Sequence, residues 1–63
     1  MAIEDRTRAA RQHYGACSAW QRAAKDAAAQ GDSDLAGECI AQSLWAQLAA
    51  SEEIAAAFEE ANR

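Results

Sequence analysis

A chain of 63 residues has room for one domain, and a domain this small buries only a modest share of its surface. Its net charge of −4 argues against indiscriminate phosphate binding, and no apolar run approaches the roughly eighteen residues that cross a bilayer. The 51% hydrophobic content overstates the core, because nineteen residues are alanine, which brings helix propensity and close packing but little apolar area.

Taken from the beginning, the chain reads as helix. It has no proline, and its alanines favour helix throughout. Glu4, Asp5, Arg6, Arg8 and Arg11 leave no apolar signal-peptide core, which points to a cytoplasmic protein. The spacing predicts helix 1 over about residues 3–30. At 100° per residue, Ala9, His13, Trp20, Ala24 and Ala27 share one face, flanked by Ala10, Cys17 and Ala28, with Ile3 and Tyr14 at its margin. Gly15 falls on the polar side at a cost of about 1 kcal/mol relative to alanine. A break at Gly15 would give three helices instead of two.

Gly31 then suits a helix C-terminus with positive φ. Asp32 or Ser33 can cap the next helix, and Asp34 meets the positive end of its dipole. With a turn at 31–33, helix 2 is expected over about 33–61. Its large apolar stripe is Ile40, Leu44, Leu48, Ala55 and Phe58, with Ala36 and Ile54 at one edge and Ala41 at the other. Gly37 projects onto this face, where it could admit a close neighbour, and Trp45 sits further round beside glutamates. Adding Ala46, Ala50 and Ala57 widens the face beyond the stripe of about 100° that serves one neighbour. The expected fold is therefore all-α, a single domain over 1–63 forming an antiparallel two-helix hairpin that dimerises into a four-helix bundle.

Charge placement gives the pairing its direction. Residues 1–30 carry five basic and three acidic side chains, whereas residues 31–63 carry seven acidic and one basic. Glutamates at 59 and 60 stand at the wrong end of an isolated helix. In a hairpin, Arg11 would face Glu52 and Glu53, and Arg6 would approach Glu59 and Glu60. Such exposed pairs contribute only about 0.2–1 kcal/mol each, enough to select orientation.

Chemistry has few candidates. In an antiparallel hairpin, Cys17 and Cys39 fall about 12 Å apart along the axis, outside disulfide reach, so they read as reduced, buried, structural thiols. His13 and Cys17, four residues apart, could meet on a helix, but two ligands are too few for structural zinc. The same pair could imitate a base and nucleophile, yet it lacks a cleft and an oxyanion site. No cofactor and no enzymatic activity are expected.

Binding is the remaining class. In length, hairpin form and acidic turn, the chain resembles the Rop family, small helical hairpins that dimerise into four-helix bundles and hold paired RNA loops through their first helices. That resemblance implies a homodimer, with RNA or DNA contacted by Arg8, Arg11 and Arg22 on one side of helix 1. The preferred reading pairs those arginines with helix 2 glutamates and makes the protein a small adaptor or regulator. Its partner-binding residues are then Tyr14, Trp20, Leu44, Trp45, Leu48 and Phe58, the aromatic ones as interface anchors. The alanine content and five arginines to one lysine suggest a GC-rich bacterial or phage genome.

Overall fold

A computed structural model describes residues 2–63 as two helices, α1 (Ala2–Ala29) and α2 (Ser33–Ala61), packed against each other as a hairpin. Helix α1 runs without interruption through Gly15, so the three-helix alternative does not hold. The Cα trace measures 50 × 13 × 9 Å. It is one helix thick in its shortest direction, so each helix has a neighbour on one side only.

The reversal is built as the local sequence requires. Gly31 takes φ +80°, and its N–H donates to Ala28 O at 3.0 Å while the Asp32 N–H donates to Ala27 O at 2.9 Å. These two bonds close the end of α1 in the Schellman arrangement. Asp32 then caps α2: its Oδ1 accepts from the Leu35 N–H at 3.0 Å, and its carbonyl accepts the first helical bond from Ala36. Only glycine adopts that φ without strain. Gly31→Ala is accordingly expected to lower stability by about 1 kcal/mol, measured as a fall in thermal midpoint with no loss of helix content in the remaining folded protein.

What lies between the helices differs from the expected stripe. The buried positions of α1 are Ala10, Cys17, Ala24 and Ala27, and those of α2 are Ala36, Cys39, Ser43 and Ala50. On α2 the buried and half-buried positions include 36, 39, 43, 46, 50, 53, 57 and 60, alternating steps of three and four residues as a helix seam does, with Ala49 and Ala56 half-buried beside them. Its members are alanine, cysteine and serine, giving way to Glu53 and Glu60 at the open end. The Ser43 hydroxyl is satisfied within its own helix, donating to Ile40 O at 2.7 Å. Small side chains at a contact let helix axes approach more closely than leucine layers do, and this hairpin is zipped by them. Ile40, Leu44, Leu48 and Phe58 are not part of that contact. Gly37 does not mediate close approach either, since a Cβ there would meet nothing within 4 Å.

Candidate functional site

The consequence is a surface. Among the described residues, the ten large apolar side chains are all at least 36% exposed, and none is fully buried. On α2, Leu44, Trp45 and Phe58 are 60–68% exposed, with Ile40 and Leu48 about half exposed. Leu44, Leu48 and Phe58 stand about 140° around α2 from the seam, which places them away from α1. Leu44, Trp45 and Leu48 meet around Ala41 in a shallow, almost wholly apolar depression. Trp20 and Leu35 line a second one with Cys39, Ala41 and Gln42. Tyr14, at the margin of α1, is also exposed. The six residues expected to bind a partner thus all reach the surface of the hairpin, on more than one side of it.

The charged groups follow the expected pairing at Arg6 and Glu60 and depart from it elsewhere. Arg6 is the residue that bridges the helices: its Nε donates to Glu60 Oε1 at 2.8 Å and its Nη1 to Glu53 Oε2 at 3.2 Å. The hydrogen bond to Glu60, followed by that to Glu53, raises the Arg6 pKa further above an already high value. Because the folded value lies above the unfolded one, the guanidinium's own contribution is fully present below the guanidinium range and is lost only above it. Arg11 makes no ion pair with Glu52 or Glu53, and Glu59 makes none with Arg6, among the described residues. The reason is helix phase: Arg6 occupies a seam position and Arg11 does not, so the seam glutamates turn toward Arg6. Arg6→Ala is expected to lower the thermal midpoint measurably, and by more than Arg11→Ala or Arg22→Ala, whose side chains enter no ion pair among the described residues.

Arg8 bonds within its own helix to Asp5 at 3.5 Å, with both groups largely in water. Arg8 and Arg11 line one shallow groove near Ile3 and Thr7, and Arg22 lines another with Ser18, Lys25 and Ile40. These cations share one side of α1 along about 26 Å of helix.

His13 is half-buried at the seam, while Cys17 is buried and accepts a weak hydrogen bond from Gln21 Nε2 at 3.7 Å. Cys17 and Cys39 are both free thiols. Among the described residues no three histidine, cysteine or carboxylate side chains are grouped for a metal ion, and no helix is long and apolar enough to cross a membrane.

Sequence reasoning expected Cys39 buried and Arg6 near Glu60, but missed Ser43 as a seam residue and Glu53 as the second partner of Arg6. The signal was present in the alternating three-and-four spacing from Ala36 to Glu60. Comparison of the chain with models of known families, with curated proteins and with solved structures finds no match.

Proposed function

We propose that this protein is a small, non-enzymatic adaptor or regulatory subunit that acts through helix–helix association, with a second copy of itself in a four-helix bundle and with a protein partner. The observation that carries the reading is the inversion of its packing. The hairpin spends its alanines, cysteines and serine on its own seam and leaves Leu44, Trp45, Leu48 and Phe58 in water. Contiguous exposed apolar surface of this kind marks interaction sites, and aromatic side chains dominate the energetics of such contacts. The depressions formed by the described residues are open and shallow and do not enclose a substrate. Reduced, buried cysteines are compatible with a cytoplasmic setting.

The partner half of this reading is tested with a photo-crosslinking residue substituted at Trp45 in the source cells. Adducts heavier than the crosslinked homodimer are expected; homodimer adducts alone contradict an adaptor role.

A second reading, a dimeric RNA- or DNA-binding regulator, is favoured by one observation. Arg11 and Arg22 make no ion pair among the described residues, so they and Arg8 are available to phosphate. Phosphate contacts of this kind weaken steeply with salt. A gel shift with structured RNA and duplex DNA tests it: binding at low salt that is lost in an Arg8, Arg11 and Arg22 to Gln triple variant supports it, and no binding at low salt removes it.

A further inference from the structure

We infer that a second copy docks antiparallel along the outer face of α2, in one register, centred between Ala49 and Ala50; this rests on the self-association proposed above and specifies its geometry. The outer face repeats as Ala41, Leu44, Leu48, Ser51, Ala55 and Phe58, again in alternating steps of three and four, the spacing of a second helix seam. Each of its large side chains has a small counterpart at the mirrored distance from that centre. Antiparallel pairing about it sets Phe58 against Ala41 of the second copy, Leu44 against Ala55, and Leu48 against Ser51. Large side chains facing small ones on the opposing helix is how two helix surfaces interdigitate without voids or overlap.

Three further observations fit this occupant. Ser51 is the one polar residue of the face, and its hydroxyl already donates to Gln47 O at 3.1 Å, so covering it strands no donor. Trp45 flanks the face on the side where Glu52 of the second copy arrives, an acceptor for the indole N–H, which needs a partner when covered. The exposed parts of Ile40, Leu44, Trp45, Leu48 and Phe58 from both copies amount to on the order of 1,000 Å², the size at which specific interfaces begin. The cost falls at the two ends, where Glu38 meets Glu59 of the second copy; both are exposed, and repulsion between such charges is weak and screened by salt. Because the two seams of α2 lie about 140° apart, the four helices follow the order α1, α2, α2, α1, which makes the four-helix assembly an open one in which the two α1 helices do not meet. The two α1 helices, with their arginines, are then outermost.

A size-exchange cycle tests the register. Leu44 and Ala55 lie about 16 Å apart on α2, so one can compensate for the other only across two copies. Leu44→Ala is expected to raise the dimer Kd on the order of 100-fold, since each dimer loses two buried leucines. Ala55→Leu is expected to raise it about 10-fold or more by overpacking. The double variant L44A/A55L is expected to return to within about 5-fold of the wild type, a coupling that independent sites do not show. Losses that simply multiply in the double variant, while the wild type remains a dimer, overturn the register and leave self-association standing. A wild type that is monomeric at every concentration overturns both. Circular dichroism of each variant at high concentration confirms that the hairpin is retained, because neither position belongs to the inner seam.

Discussion

Ala50→Leu is expected to be the most damaging single substitution within the hairpin. Ala50 is 0% exposed and sits in the middle of the inner seam, where added methyl groups have no room. Overpacking a close contact costs about 1–3 kcal/mol, and in a chain of this size each kcal/mol moves the thermal midpoint by about 4–8 °C. A fall of about 10 °C or more is therefore expected, read by circular dichroism at a fixed concentration. Ala19→Leu, the same change at an exposed position of α1, should shift the midpoint by less than about 3 °C, since surface substitutions usually stay within about 0.5 kcal/mol. A near-neutral Ala50→Leu would mean that the helices are not held by close contact of small residues.

Leu44→Asp is expected to have the larger effect on the assembled protein and little on the hairpin itself. The side chain is 60% exposed, on the side of α2 away from α1, so no intrachain contact of consequence is lost. In the two-copy assembly it places two carboxylates against apolar surface, where each must either remain charged without hydration or take up a proton. The variant should therefore be monomeric. Stabilisation by a bound second copy grows with concentration, by about 2.7 kcal/mol at 100 times the Kd. The wild-type midpoint should rise as the protein is concentrated, whereas that of Leu44→Asp should not change. At the highest concentration the two should differ by about 10–20 °C.

How much of this was legible in the sequence follows from which signals are strong. The hairpin was, because Gly31 and Asp32 each answer a specific backbone need, and α2 begins at Ser33 as the turn chemistry predicts. The face of α1 was also largely legible: Ala10, Cys17, Ala24 and Ala27 are buried, and His13 is half-buried. On α2 the reading by residue size chose the wrong contact. Leucine and phenylalanine carry more apolar area than alanine, so Leu44, Leu48 and Phe58 looked like the inward face. Ala36 and Ala50 looked like additions at its edge, and Ser43 gave no signal. Packing two long helices over 28 and 29 residues rewards continuous close contact, and only the small-residue seam provides it along the whole length. The wide apolar circumference of α2 was visible in the sequence, and the structure divides it into an inner seam against α1 and an exposed outer face. The ionic pairing was legible at Arg6 and Glu60 and was missed at Arg11 for the same reason. With α2 turned to present its seam, Glu53 and Glu60 face Arg6, and Arg11 is left at the surface.

The arginine side of α1 acquires a different meaning under the order α1, α2, α2, α1. A pair of adjacent first helices, as the resemblance to the Rop family implies, would combine two basic stripes into one patch. Outermost α1 helices keep the stripes apart, and each then offers only Arg8, Arg11, Arg22 and Lys25. Net charge of −4 per chain further weakens a phosphate contact of that size.

Sedimentation equilibrium of the wild-type protein across the micromolar range, with Leu44→Asp alongside, tests the central claim most directly: that α2 has an inner seam for its own hairpin and an outer face for a second copy. The expected result is a wild-type mass of two chains, falling toward one on dilution, and a Leu44→Asp mass of one chain throughout. A stably folded wild-type monomer at micromolar concentration would contradict it.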